Sequence, residues 1–137
     1  MIELGHILYI VPPAFAGGTA NPDKKKRLLL VISINAQDNT LTLINISKIR
    51  DKPRCFTYPC NCLISNYCPP LPEPSFAKLN DTYIIENFYE LSNYFYKQGQ
   101  KLDHGELINI ISRRNNYMSK NSIEQVSFNK LEILSVN

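Results

Sequence analysis

A chain of 137 residues, 44% of them apolar, is long enough to bury one core without metal or disulfide staples and too apolar to be compositionally disordered. Its net charge is only +3 but unevenly placed: residues 1–60 carry eight Lys/Arg against four Asp/Glu, and residues 61–137 carry seven against eight. Attraction for polyanions therefore belongs to the N-terminal half, while no run approaches the ~20 apolar residues of a membrane span and Met1–His6 lacks the basic-then-apolar pattern of a secretory signal. These features predict a cytoplasmic protein that makes no use of a membrane.

The chain reads as a single domain, 1–137, with one long irregular excursion. Residues 2–11, apolar and β-branched, form a strand that Pro12-Pro13 ends. Residues 14–23 are a loop made flexible by Gly17-Gly18. A basic run, Lys24-Lys25-Lys26-Arg27, then leads into the continuous apolar stretch of 27–34, the signature of a buried strand. Gln37-Asp38-Asn39 is a turn, and 40–47 alternates polar with apolar as a third strand, so 27–47 is a hairpin with a loop of about five residues.

The stretch 51–75 holds six prolines and all four cysteines, Cys55, Cys60, Cys62 and Cys68. Proline cannot donate to a ladder, so this is an excursion with at most a short edge strand near 54–58. The C-x4-C-x-C-x5-C spacing lacks the C-x2-C pairs of structural zinc sites. Free loop thiols are the expectation, with no metal ligand assigned.

Order resumes over 76–88 as one or two strands. Glu90–Gln98 reads as a short helix stopped by Gly99. Asp103-x-x-Glu106 has the form of a capping box, opening a helix with Leu107, Ile110 and Ile111 on one face and Arg113 and Arg114 in its last turns, where cations suit the dipole. The tail 122–134 fits helix or strand. The fold class is thus mainly β with C-terminal helices.

Several segments, in order, resemble the PemK/MazF-type toxins of bacterial toxin–antitoxin systems. Glu3-Leu4-Gly5-His6-Ile7-Leu8-Tyr9 is like the family's opening strand. Lys26-Arg27-Leu28-Leu29-Leu30-Val31-Ile32-Ser33 is like its Arg-led strand after a loop. Leu43-Ile44-Asn45-Ile46-Ser47 is like the strand ending in Thr or Ser, and Leu79-Asn80-Asp81-Thr82-Tyr83-Ile84-Ile85-Glu86 is like the stretch before its C-terminal helix. The resemblance spans roughly 2–112 and implies an SH3-like small barrel, usually a homodimer, that is neutralised by an antitoxin protein. It implies a metal-independent endoribonuclease that cleaves single-stranded RNA by attack of the ribose 2′-hydroxyl on the adjacent phosphorus.

On this resemblance Arg27 and Ser47 are the catalytic candidates. A guanidinium can grip two phosphate oxygens, and a hydroxyl can donate to the same group. Lys24, Lys25, Lys26, Gly17 and Gly18 would contact RNA backbone, and Tyr9, Phe15 and Tyr58 would stack on unpaired bases. Each also has a plainer reading: Arg27 as a surface arginine opening a strand, Ser47 as a strand-end hydroxyl, the aromatics as core. Leu28 stands where the family has Pro and His6 where it has Asp, and no general base is evident. His6 or His104 could serve as one, or be structural. The alternative is a non-catalytic SH3-like barrel that binds nucleic acid or a protein partner.

Overall fold

The computed structural model describes residues 1–54, 58–64 and 68–137. Six strands form one mixed sheet: β1 (Ile7–Ile10), β2 (Arg27–Asn35), β3 (Thr40–Lys48), β4 (Asn61–Ile64), β5 (Ser75–Glu86) and β6 (Glu124–Phe128). The hydrogen-bonded order is β1-β2-β3-β5-β4, and β6 also pairs with β5. β5 is the organiser. One edge takes β3 along its whole length; the other takes β4 antiparallel at its start and β6 parallel near its end. A parallel neighbour needs a crossover connection, which helix α1 (His104–Met118) supplies between β5 and β6. The chain ends in helix α2 (Lys130–Val136).

The apolar run of β2 is explained by burial on both faces. Leu28, Leu30 and Ile32 join Ile44, Ile46, Ala77 and Leu79 beneath Leu107 and Ile110 of α1. Leu29 and Val31 join Leu41, Leu43 and Ile85 beneath Phe88, Leu91 and Ile133 of α2. Two irregularities bend the sheet, one at Val31/Ser33 in β2 and one where β3 and β5 lose register between Ile44 and Ile46. Among the described residues the ladder path does not close on itself. β1 is met on its outer side only by an isolated bridge between Leu8 and Phe95. The mainly β class with C-terminal helices holds; what the strands build is an open, bent sheet covered on both sides.

Several local expectations need correction. The first strand is shorter than 2–11, because Gly5 turns the chain at φ +91° before Ile7. The short strand of the proline-rich excursion is Asn61–Ile64, not 54–58, of which 55–57 lie outside the described residues. It occupies the longest proline-free interval of the excursion, between Pro59 and Pro69, where backbone donors are available to pair with β5. The helix expected over 90–98 is two 3-10 turns, Tyr89–Tyr94 and Tyr96–Gly99. Phe95 breaks them by turning inward against the core and the His6 ring (centroids 4.2 Å apart). Arg113 and Arg114 are not in the last turns of α1, which runs on to Met118, and Arg114 is buried. The ambiguous tail contains both elements: β6, then α2 opened by a reciprocal Asn129–Glu132 capping box.

The described cysteines, Cys60, Cys62 and Cys68, are free thiols, but one of them, Cys62, is on a strand and not in a loop. Cys62 lies on β4 in the core and Cys68 is buried beside it in the same cluster, while Cys60 is half-buried. Burial pushes the thiols of Cys62 and Cys68 up. Cys55 lies outside the described residues. Among those described, no group of three or more His, Cys, Asp or Glu side chains is placed to hold a metal ion, and no helix is long and apolar enough to cross a membrane.

Candidate functional site

A cleft of about 400 Å³ opens where β2 begins and β3 ends, and both Arg27 and Ser47 border it. Hairpin register brings them there. Leu28 pairs with Ile46, and Arg27 and Ser47 each lie one residue beyond that pair. Period-2 alternation sends both to the face that carries Leu29 and Asn45. The third strand of the row is β5, whose Lys78 also borders the cleft.

Arg27 is held from outside the cleft. Its guanidinium stacks on the Phe15 ring at 4.6 Å and one Nη donates to the Lys26 carbonyl at 3.2 Å. Among the described residues it makes no ion pair, which leaves most of its five donors uncommitted. The loop carrying Phe15 is not slack, as Gly17-Gly18 suggested, but a tight turn. The Phe15 N–H donates to the Thr19 carbonyl at 2.8 Å, Gly18 N–H to the Phe15 carbonyl at 2.7 Å, and Ala16 N–H to the Tyr83 hydroxyl at 3.2 Å. Buried Asn21 then bridges the two ends of the approach to β2, donating to the carbonyls of Pro12 and Lys25 and accepting from the Lys25 N–H. Asn21 went unread in the sequence. Its signal is Asn-Pro ahead of a basic run, a turn-forming Asx side chain.

Five cations border the cleft, Lys26, Arg27, Lys48, Lys52 and Lys78, against one carboxylate, Asp51. Lys48 faces Glu73 at 3.8 Å and Lys78 faces Asp81 at 3.7 Å; among the described residues Lys26, Arg27 and Lys52 face no carboxylate. Lys78 is more enclosed than the other cleft lysines, its side chain 20% exposed against 29% for Lys48, while Lys26 and Lys52 are exposed. Burial first, then the hydrogen bond and charge of Lys52 and the charge of Arg27, hold its ammonium below the usual lysine range against the opposing pull of Asp81. Asn45, on the same face as Ser47, is buried, and among the described residues its Oδ1 has no hydrogen-bond partner.

The cleft has an aromatic lip. Tyr9, 44% exposed, meets Tyr96 edge-on at 6.2 Å, and both border the cavity. Lys26 lies over the Tyr9 ring at 5.0 Å. Tyr96, Lys52 and Lys78 were not singled out in the sequence, because they come from segments outside the β2–β3 hairpin that only the tertiary fold brings to it; Lys48, beside Ser47 at the end of β3, was passed over.

The remaining sequence candidates fall elsewhere. Lys24, Lys25, Gly17 and Gly18 are exposed and do not border the cleft. A Cβ on Gly17 would stand 2.9 Å from the Glu124 carboxylate, a charge that opposes phosphate at that spot. Phe15 acts by supporting Arg27, and exposed Tyr58 is not at the cavity. Neither histidine reaches it. His6 is buried, accepting the Glu3 N–H on Nδ1 at 2.8 Å, and His104 begins α1. His6 is therefore a structural residue.

No protein-family model matches the chain, and no curated protein matches it significantly.

Proposed function

We propose that the protein is a metal-independent endoribonuclease of the toxin type, an SH3-like barrel in the PemK/MazF manner, acting on single-stranded RNA in the cytoplasm as a homodimer restrained by an antitoxin protein. The observation that carries this reading is the meeting of Arg27 and Ser47 at one cation-lined cleft with an aromatic lip. A phosphodiester entering it meets Arg27 at its non-bridging oxygens, where charge grows as the 2′-oxygen attacks, and Ser47 adds a hydroxyl donor. Flanking bases stack on Tyr9 and Tyr96. The cluster of positive charge draws the polyanion in. The products are a 2′,3′-cyclic phosphate and a 5′-hydroxyl.

The test is digestion of a long single-stranded RNA by the purified protein in the presence of a chelator, with end-group analysis of the fragments. Arg27→Ala should slow cleavage by roughly 10²–10³-fold, and a single 2′-deoxy substitution at the mapped cut site should abolish it. Undiminished cutting by Arg27→Ala would overturn the assignment. The second reading, a barrel that binds nucleic acid or a protein without cutting it, is favoured by one observation: neither histidine lines the cleft. It predicts RNA retention with intact RNA recovered at high protein concentration.

A further inference from the structure

An RNA-cleaving cleft without histidine still has to deliver a proton to the departing 5′-oxygen, because an alkoxide is a poor leaving group. The residues at the site narrow the choice. Arg27 does not give up its proton in a protein. Asp51, the single carboxylate at the cleft, is exposed and lies 3.9 Å from Arg50. Ser47 has an alcohol's acidity. Among the lysines, Lys26 and Lys52 are exposed, Lys26 over the Tyr9 ring, and Lys48, at the end of β3, is less enclosed than Lys78.

Lys78 differs from these in position. It stands on β5, the neighbour of β3 on the side away from β2, so Arg27, Ser47 and Lys78 come from three adjacent strands at one end of the sheet. Alternation puts Lys78 on the face opposite to its neighbours Ala77 and Leu79, which are buried under α1. That is the face to which Arg27 and Ser47 belong. A phosphate gripped by Arg27 on one flank therefore presents its other flank toward Lys78.

We infer that Lys78 is the general acid of the cleavage, donating its ammonium proton to the 5′-oxygen as the phosphorus–oxygen bond breaks. This rests on the endoribonuclease reading and assigns that reading a missing role. The step balances without a co-reactant other than water. The 2′-oxygen–phosphorus bond forms and the 2′-hydroxyl proton passes to solvent. The phosphorus–5′-oxygen bond breaks, its electron pair takes the Lys78 proton, and the neutral amine is reprotonated from water. The environment suits an acid. The charged groups facing Lys78 are Asp81 on its own strand, Lys52 and Asp51 from the segment after β3, and Arg27 from β2. Burial first, and then the positive charges of Lys52 and Arg27, hold its proton less firmly than that of a solvated lysine. Asp81, 3.7 Å away, keeps the amine in place.

The experiment uses a leaving group that needs no proton. The wild-type cut site is first mapped on a long RNA. A short RNA is then made with ordinary oxygen, or with bridging 5′-sulfur, at that phosphodiester. Thiolate leaves readily unprotonated, so a missing general acid matters only for oxygen. Lys78→Met should cleave the oxygen substrate about 10²-fold more slowly than wild type and the sulfur substrate within about threefold of it. Lys78→Arg keeps the charge without a labile proton and should behave like Lys78→Met, which separates proton donation from electrostatic support and guards against a folding artefact in the apolar variant. Equal losses on both substrates, or wild-type rates in Lys78→Arg on oxygen, would overturn the role of Lys78 while leaving the endoribonuclease reading standing. Failure of wild type to cut either substrate would overturn both.

Discussion

The guanidinium of Arg114 donates a 2.8 Å hydrogen bond to the hydroxyl of Thr82, joining α1 to β5 inside the core. Arg114 is 9% exposed, and among the described residues its Nε has no hydrogen-bond partner and the side chain makes no ion pair. Burial lowers its affinity for the proton. A buried cation with one neutral acceptor costs more to maintain than an apolar side chain of like volume, and it is hurt most by loss of its partner. Thr82→Val should therefore destabilise the protein by about 2–3 kcal/mol in urea unfolding. Arg114→Met should stay within about 1 kcal/mol of wild type, and the double variant should be more stable than Thr82→Val alone. A Thr82→Val cost no larger than that of Arg114→Met would show that the hydrogen bond carries little.

Acid should weaken the fold through His6. Burial lowers its pKa from the ordinary 6.5, with the Glu3 carboxylate opposing. The unfolded chain thus binds a proton at a pH where the native one does not, so native stability is fully present above about 6.5 and lost as pH falls below it toward the depressed native value. The neutral ring is also what lets Nδ1 accept the Glu3 N–H. His6→Asn offers an Oδ1 acceptor that does not titrate. Urea midpoints at pH 7.5 and 5 should separate in wild type and converge in the variant; equal separation in both would remove His6 as the cause.

Lys78 should show a trade between stability and activity. Its lowered pKa means that holding the ammonium charged in the fold costs free energy below its native pKa, a cost relieved as pH rises from there toward the ordinary 10.5. Lys78→Met should raise stability at pH 7 by roughly 0.5–2 kcal/mol, and the gain should shrink on going to pH 10. A variant less stable than wild type at pH 7 would mean that the Asp81 pair outweighs the burial cost.

RNA binding should divide along the boundary of the cleft. Tyr9→Ala, at its lip, should weaken binding of a single-stranded oligonucleotide by about 1–3 kcal/mol, measured by fluorescence anisotropy. Lys24→Ala and Lys25→Ala, outside it, should change affinity less than about threefold at 0.15 M salt, where exposed charges beyond the contact are screened. Parity among the three variants would place the RNA along the basic run instead of in the cleft.

The candidate site divides in the same way between what strand pattern foretold and what folding assembled. Arg27 and Ser47 were legible through the resemblance, and the local hairpin explains why they meet: each lies one step beyond the Leu28–Ile46 pair of two strands joined by a short loop. Lys78, Lys52 and Tyr96 were not legible, since nothing in a sequence states which edge a later strand or turn will take. Gly17 and Gly18 misled for a related reason. Glycine signals a turn, but the Thr19 carbonyl and the Tyr83 hydroxyl decide that the turn is tight.

By itself the sequence determined the mainly β class of the fold, the two central strands as a hairpin, the start of α1 at Asp103 and the N-terminal bias of positive charge, because each follows from near-neighbour sterics, hydrogen bonding and periodicity. Only the tertiary structure decided that β4 and β6 share one edge of β5, that Phe95 breaks the 89–99 segment, that Arg114 and Cys62 are interior, and that a cleft rather than an exposed loop gathers the cations. Those outcomes depend on contacts between residues far apart in the chain, whose energies are comparable with one another and are ranked only when the whole core packs.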